Sequence, residues 1–318
     1  MTLLDVVQLG LEVRDSNRIL LRDLNLRIER GSITGLVGES GSGKSMLSLS
    51  LMGLLPDGIR IISGRATIGA TQILDSHCEF RSAARNEMAL ISQNPRAALN
   101  PTMRIGKQMA RVLRQRRALS RQAADEEARR LLRQVGITDT ERIWRSYPHQ
   151  LSGGMCQRVI IGMALSTEPS LLIADEPTTG LDVTIQAQIL LLLRNLVAGG
   201  ARSVLLITHD LAVVSSLCDR VVVLYGGEVM EAGATVDVFT RPRHPYTKFL
   251  LASAGLDVAS DSQRIREAPV DFTLAGCRFA RRCALATGIC LLEAPPLHCE
   301  DASAAYCHHL EPARAAAC

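Results

Sequence analysis

The sequence is poor in aromatic residues, in lysine and in net charge. Phe, Tyr and Trp make up 3% of the 318 residues, so a core drawn from the 47% hydrophobic content must be mainly aliphatic. The charged fraction of 21% excludes a disordered chain, and the net charge of +4 does not suggest a dedicated nucleic-acid binder, which usually has a concentrated basic stripe. Only three lysines occur, Lys44, Lys107 and Lys248, which makes each of them conspicuous.

Long apolar runs and a disulfide pattern are also lacking. No run reaches the roughly 20 residues that a membrane-spanning helix needs. The N-terminus has no basic segment followed by an apolar stretch, so no secretory signal is expected. The nine cysteines are an odd number, which argues against a disulfide framework in the cytosol, where we expect this chain to lie.

The length and the pattern predict one large domain with a small extension. A single core stops growing at about 250–300 residues. Alternating apolar and polar residues over 3–35 predict a small antiparallel sheet followed by a buried strand. Buried strands at 171–175 and 203–210, separated by a helix, predict an α/β sheet that is largely parallel. We place the main domain at 1–257 and a Cys-rich extension without clear periodicity at 258–318.

Further elements follow from the same periodicities and from turn residues. The predicted helices and the hairpin are a helix at 45–55 stopped by Pro56-Asp57-Gly58, an Arg-rich helical segment at 104–135 with a solvated face, helices at 152–167, 183–197 and 245–254, and a hairpin with its turn at Gly226-Gly227.

The segment GESGSGKS matches the phosphate-binding pattern GxxxxGKS/T, between a predicted strand and a predicted helix. Its glycines allow backbone N–H groups to turn inward, and the helix N-terminus adds its positive dipole end. Lys44 is expected to reach the β- and γ-phosphates and Ser45 to bind Mg²⁺. The residues predicted to bind a nucleoside triphosphate here are Gly38, Glu39, Ser40, Gly41, Ser42, Gly43, Lys44 and Ser45.

Two acids follow the predicted strand LLIAD at 171–175. We expect Asp175 to hold Mg²⁺ and Glu176 to polarise the attacking water as a general base. The alternative is a helix cap at the end of the strand. The presence of Lys44 upstream favours the catalytic interpretation.

A second anion site is predicted at LSGGMCQR, residues 151–158. Ser152 is placed as a helix cap before Gly153 and Gly154, and the exposed N–H groups there have no phosphate in their own chain to bind. The segment resembles the LSGGQ signature of ABC-type ATPases, with Met155 in place of Gln.

The remaining motifs of that family follow in order over about residues 3–255. Gln93 in ISQNP resembles the Q-loop, Asp182 in TGLD the D-loop, and His209 in LLITHD the switch histidine. The resemblance implies an α/β fold of the ABC type of P-loop NTPase. Such a fold has a mixed sheet core, an antiparallel β subdomain and an α-helical subdomain, here at about 94–165.

The resemblance also implies a mechanism in which two ATPase domains sandwich two ATP molecules head to tail. Glu176 would be the base, His209 the sensor of the γ-phosphate, and Gln93 a further catalytic residue. Mg²⁺ would be bound by Ser45, Gln93 and Asp175. The residues expected to reach the ATP of the other subunit are Ser152 and Gly154, and Gly153 and Asp182 are also expected to bind nucleotide.

Further segments indicate which branch of the ABC ATPase family the sequence resembles. The segments NPRAALNP, SYPHQLSGG and RPRHPYTKFLLAS resemble ATPases of importers for peptides, dipeptides and nickel. This implies an ATP-hydrolysing subunit, peripheral on the cytoplasmic face of the membrane, that works with a second ATPase, two permease subunits and an extracytoplasmic binding protein. A heterodimer is usual in that branch, and a homodimer remains open. No nucleic-acid partner is expected. The alternative is a soluble ABC ATPase of DNA repair or the ribosome, which usually carries tandem halves or coiled coils.

Four cysteines of the tail, Cys277, Cys283, Cys290 and Cys307, suggest a metal site, since thiols are clustered without disulfides. Their spacing is too wide for a zinc ribbon of the CxxC type. The segment GCRFARRC resembles the tail of peptide-importer ATPases, some of which hold a 4Fe–4S cluster. From the residues alone, a cluster, zinc and no metal all remain open.

The sequence lacks the aromatic residue on which ABC-type ATPases usually stack adenine. That residue normally precedes the phosphate loop, whereas no Phe, Tyr or Trp precedes Phe80 here. Arg14, Arg18 or an aliphatic side chain is expected to serve instead, since a guanidinium can stack on a base. We therefore expect weak discrimination between bases.

Overall fold

A computed structural model describes residues 1–74, 77–256, 265–300 and 303–310 of the chain. The strands are β1 (Thr2–Val13), β2 (Arg18–Glu29), β3 (Ile33–Val37), β4 (Ile59–Ile68), β5 (Thr71–Leu74), β6 (Met88–Ile91), β7 (Leu171–Asp175), β8 (Ser203–Ile207), β9 (Arg220–Tyr225), β10 (Glu228–Ala234), β11 (Leu297–Glu300) and β12 (Ser303–Tyr306). The helices are α1 (Lys44–Met52), α2 (Ile105–Arg117), α3 (Arg121–Gln134), α4 (Thr140–Arg145), α5 (Gly153–Leu165), α6 (Val183–Val197), α7 (Leu211–Leu217), α8 (Thr235–Thr240), α9 (Pro245–Ser253) and α10 (Gly288–Leu292). Short 3₁₀ helices lie at Ser82–Asn86 and Pro148–Gln150.

The main sheet has eight strands in the order β11-β12-β10-β9-β3-β8-β7-β6. Strands β9, β3, β8, β7 and β6 run parallel to one another, whereas β10 pairs antiparallel with β9, β12 with β10, and β11 with β12. Leu36 and Asp175 both lie opposite Ile207, so β3, β8 and β7 end at the same level. Ligands of open α/β sheets bind outside these carboxyl ends. The predicted mixed α/β fold is confirmed.

The parallel strands are apolar because both faces of the sheet are covered. Every residue of β3 and β8 is buried. Val204 and Leu206 face one hydrophobic core, which also contains the buried faces of α2, α3 and α5. Leu205 and Ile207 face a second core, which the sheet shares with α1 and the small antiparallel sheet. That small sheet has the order β2-β1-β4-β5, as the alternation over 3–35 predicted for its first strands.

Two predicted helices differ in extent. The helix predicted over 45–55 ends at Met52, before Pro56, because Gly53 takes the left-handed conformation with φ 63°. The segment 104–135 forms two helices, since Ala118 has φ 51° and the Ser120 hydroxyl caps the second one. No helix among the described residues is both long and apolar enough to cross a membrane.

The C-terminal extension shares the sheet and core of the main domain. β12 pairs with β10, with Glu231 opposite Ala305. Phe279 is 1% exposed and packs on Tyr225 and Tyr246, with ring centroids 5.2 and 5.3 Å away. The predicted boundary at 257/258 lies outside the described residues.

Candidate nucleotide site

The phosphate loop joins β3 to α1 and is held in a conformation that requires glycine. Gly38 has φ 152°, and a Cβ there would lie 2.0 Å from the carbonyl oxygen of Leu224. Gly43 has φ 102° and immediately precedes α1. The loop therefore presents its backbone at the N-terminus of a helix, where N–H groups and the helix dipole favour anions.

Lys44 is buried within this loop. Its Nζ donates to the carbonyl oxygens of Gly38 at 2.7 Å and Glu39 at 2.9 Å, and lies 3.3 Å from the Ser42 hydroxyl. Burial lowers the pKa of the amine, while the charges of Glu176, Asp175 and Glu39 oppose that shift. The Lys44 amine thus lies where the loop turns its backbone inward.

The two acids lie at the end of β7, beside the loop. Burial raises the pKa of Asp175, which hydrogen-bonds the Ser45 side chain. The Glu176 carboxylate accepts a hydrogen bond from the Thr179 hydroxyl at 2.6 Å and lies 2.8 Å from His209 Nδ1. Against burial, which acts to raise it, these two hydrogen bonds hold the pKa of Glu176 below its ordinary value. Glu176 is therefore ionised at neutral pH.

A pocket of about 700 Å³ gathers residues from the carboxyl ends of β3, β6, β7 and β8. The predicted residues that line it are Ser40, Gly41, Ser42, Gly43, Lys44, Ser45, Gln93, Asp175, Glu176 and His209. The lining residues that were not predicted as ligands are Leu20, Met46, Thr179 and Phe272. Phe272 is an aromatic residue from the C-terminal extension, more than 200 positions from the loop. Phe272 and the phosphate loop come together only through the tertiary fold, so no local sequence pattern predicts that Phe272 lines this pocket.

The signature segment and the D-loop acid lie together, apart from this lining. Ser152 caps α5 by accepting from the Met155 N–H at 3.3 Å, and Asp182 caps α6 in the same way. A Cβ on Gly154 would lie 2.5 Å from Cγ2 of Ile185 in α6. Among the described residues that line the pocket, none comes from the signature segment. The helix start at Ser152 therefore lies outside the pocket lining.

Two side chains from the C-terminal part of the sequence, Tyr246 and Arg282, hydrogen-bond Glu39 of the phosphate loop. The Glu39 N–H donates to the Tyr246 hydroxyl at 3.0 Å. Arg282 donates to both carboxylate oxygens of Glu39, at 2.7 and 3.1 Å, and to the Tyr225 hydroxyl at 3.3 Å. The sequence pattern marked the segments around Tyr246 and Arg282 only as family features and gave neither residue a role.

The four tail cysteines are free thiols and all are buried, at 6–8% exposure. The Cys277 N–H donates to the Cys290 carbonyl at 2.8 Å, and Cys290 Sγ lies 3.3 Å from His309 Nε2. Burial raises the pKa values of Cys277, Cys283 and Cys307, and the charges of neighbouring thiols add to this. Within the described ranges, no three His, Cys, Asp or Glu side chains stand in an arrangement that holds a metal ion.

A phosphate loop at the end of β3, facing two acids and a histidine on neighbouring strands, defines a nucleotide-binding α/β protein. Residues 21–179 match the ABC transporter family, and residues 230–290 match the oligopeptide/dipeptide transporter C-terminal region. The chain belongs to the ABC transporter family and is an ATP-binding ATPase of it. The predicted family and enzyme class are confirmed.

Several relatives are similar over nearly the whole chain. A probable peptide ABC transporter ATP-binding protein of Sinorhizobium fredii, y4tR, is 40% identical over 94% of this chain and 88% of its own. The oligopeptide transport ATP-binding protein OppD of Escherichia coli is 43% identical over 89% of this chain and 85% of its own. The structure of CbiO1 from Clostridium perfringens, part of the ABC transporter complex CbiONQ, superposes with a TM-score of 0.63 at 27% identity, over 75% of this chain and 90% of that one.

Proposed function

We propose that this chain hydrolyses ATP to power the import of peptides or dipeptides through a membrane transporter. The observation that carries the proposal is the pocket that brings Lys44, Asp175, Glu176 and His209 together. Peptides are favoured over nickel chelates because the relatives described above are named for peptide transport and the C-terminal region matches that branch. The same names give no support to a role in DNA repair or on ribosomes.

In this proposal, the phosphate loop binds the triphosphate through the residues from Gly38 to Ser45, with Lys44 on the β- and γ-phosphates. The oxygens of Ser45, Gln93 and Asp175 suit Mg²⁺, which takes oxygen ligands. When bound, Mg²⁺ would neutralise charge on the phosphates. The contact between Ser45 and Asp175 supports this assignment.

Glu176 is proposed as the general base. Its carboxylate is ionised, only 15% exposed, and oriented by Thr179 and His209 on its two oxygens. An oriented carboxylate can accept the proton of an attacking water. His209 is 68% exposed, so it can contact the γ-phosphate from the pocket rim while holding Glu176.

The separate position of the signature segment supports a composite site. Ser152, Gly153 and Gly154 would bind the ATP of a second ATPase chain, with Asp182 beside them. We propose a heterodimer, as the peptide-importer branch usually has. The closed sandwich would thus need both chains.

Docking to two permease subunits on the cytoplasmic face is proposed at a groove beside Gln93. This groove, of about 490 Å³, lies between β6, α2 and α5. Its lining includes Met52, Leu54, Arg85, Ser92, Arg116 and Ile160. Because the groove adjoins Gln93, a movement at the nucleotide can reach the permeases directly. An extracytoplasmic binding protein would supply the peptide.

Substitutions at the pocket test the assigned roles. Glu176→Gln is expected to slow hydrolysis by about 10²- to 10⁴-fold while retaining ATP binding. Lys44→Ala is expected to weaken ATP binding itself. The matched control is Glu126→Gln, an exposed carboxamide substitution on α3. Near-normal turnover of the Glu176 variant in the assembled transporter would contradict the role of general base.

We also propose that Cys277, Cys283, Cys290 and Cys307 hold a 4Fe–4S cluster, which four thiolates can ligate. Their shared burial and the hydrogen bond from the Cys277 N–H to the Cys290 carbonyl, which brings these two segments together, support this. Because the thiols do not stand at ligating positions, binding would require their side chains to move together.

Iron and sulfide analysis of anaerobically purified protein tests the cluster. Cys283→Ser is expected to lose iron and the broad visible absorption. Cys218→Ser, at a buried thiol after α7, is the matched control and is expected to keep both. Wild-type protein without iron would contradict the proposal.

A further inference from the structure

The pocket that contains the phosphate loop is also lined by an aromatic ring from the C-terminal extension. No aromatic residue precedes Phe80 in the sequence, yet Phe272 lines the pocket together with Leu20 and Met46. The phosphate loop and the acids occupy the rest of the lining. A base attached to a triphosphate in the loop would therefore meet Phe272, Leu20 or Met46.

Phe272 forms a pair with a guanidinium of β2. The central carbon of Arg18 lies 3.9 Å from the centre of the Phe272 ring, and that of Arg278 lies 5.1 Å away. Phe272 is only partly buried, so part of its ring remains exposed to the pocket. The cation–π attraction between a guanidinium and an aromatic ring helps to hold the ring in place.

The chain that follows Phe272 is held against β2 and the β9–β10 hairpin. Arg22 donates to the carbonyls of Leu274 at 2.6 Å and Ala275 at 3.0 Å. Arg278, 1% exposed, donates to the carbonyls of Ile19 at 3.0 Å and Gly226. The ring is thus positioned before any nucleotide binds, which lowers the entropy cost of binding.

We propose that Phe272, backed by Arg18, is the platform on which the base of the nucleotide stacks. This inference rests on the proposed phosphate site, because that site places the base at this end of the pocket. Every nucleobase has a π face, so stacking of this kind tolerates different bases. The expectation of weak discrimination between ATP and GTP therefore stands, although its source is an aromatic ring and not Arg14 or an aliphatic side chain.

Affinities for ATP and for inorganic tripolyphosphate, which lacks a base, test the platform. Phe272→Leu keeps an apolar side chain and removes the ring. It is expected to weaken ATP binding by roughly 5- to 150-fold, the range for loss of one base–aromatic stack, and to leave the tripolyphosphate affinity unchanged. Phe239→Leu, a partly buried aromatic of α8 outside the pocket, is the matched control and is expected to leave both affinities unchanged.

A second variant gives a direct signal. Phe272→Trp retains an aromatic ring and is expected to keep the ATP affinity of the wild type. In a Trp144→Phe background, which removes the single native tryptophan, its fluorescence should be quenched by ATP and unaffected by tripolyphosphate.

The outcomes separate the two hypotheses. An equal loss of affinity for both ligands in Phe272→Leu, or no loss for either, would overturn the platform alone. Wild-type protein that binds neither ligand would overturn the phosphate site and, with it, the platform.

Discussion

The ion pair between Arg282 and Glu39 connects the C-terminal extension to the phosphate loop. Its removal should therefore lower both the free energy of unfolding and the affinity for ATP. Arg282 is 15% exposed and Glu39 36% exposed at their side chains. Arg282→Met removes the three hydrogen bonds of the guanidinium, two to Glu39 and one to the Tyr225 hydroxyl, while it keeps an apolar side chain near the aromatic cluster.

The expected loss lies between two limits. Hydrogen bonds to charged groups contribute about 1.5–3 kcal/mol when buried, whereas exposed ion pairs contribute about 0–1 kcal/mol. Since Glu39 is about one-third exposed, we expect Arg282→Met to lower the free energy of unfolding by about 1–2 kcal/mol. If the same contact orients the phosphate loop, a loss of about 1 kcal/mol in binding would weaken ATP affinity about 5-fold.

A double-mutant cycle with Glu39→Gln isolates the contact, read by equilibrium denaturation and by ATP titration. Arg282→Lys keeps the charge without the planar fork and should lose part of the stability. Arg281→Met is the matched control, because that neighbouring arginine is 56% exposed and pairs with Asp271 instead. Its unfolding free energy should change by less than about 0.5 kcal/mol.

A coupling energy near zero between the Arg282 and Glu39 substitutions would refute the reasoning. So would an Arg282→Met variant as stable as the wild type. A variant that loses stability but keeps full ATP affinity would limit the contact to a structural role.

Two further predictions concern packing and pH. Gly154→Ala should cost about 1–3 kcal/mol, because its methyl group meets Ile185 at 2.5 Å, and adding Ile185→Ala should give a total loss smaller than the sum of the single losses in denaturant titrations. Strict additivity would rule out the clash. Burial lowers the pKa of His244 to about 3 from 6.5, so only the unfolded chain takes up this proton between those values. Stability should therefore fall below pH about 6.5, by about 2 kcal/mol at pH 5, and His244→Asn, which retains a cap for the Tyr246 N–H, should lack this part of the pH dependence.

Much of the fold follows from local pattern. The strand at 171–175 and the helix at 183–197 lie where the apolar residues predict them. The end of α1 was misplaced, because Gly53 takes a left-handed conformation with its backbone against the Phe80 ring, a tertiary contact invisible in sequence. The break between α2 and α3 after Ala118 was missed because no glycine or proline marks it in the sequence.

The site was predictable where its residues follow strands that end at one edge of the sheet. Lys44, Asp175 and His209 meet because β3, β7 and β8 are parallel neighbours in register. Phe272 reaches the pocket, and Arg282 reaches Glu39 of the phosphate loop, from an extension that lacks periodicity. Their positions depend on β12 pairing with β10 and on buried arginines, which no local pattern encodes.

We propose that this chain powers a membrane importer, and co-purification tests that role most directly. Tagged Glu176→Gln protein would be expressed in its native cell, supplied with ATP and Mg²⁺, extracted gently from membranes and analysed by mass spectrometry. Arg281→Met protein carrying the same tag and Glu176→Gln protein without nucleotide serve as controls. We expect to recover two polytopic permeases and a second ATPase chain. Recovery of soluble DNA- or ribosome-associated proteins in place of permeases would contradict it.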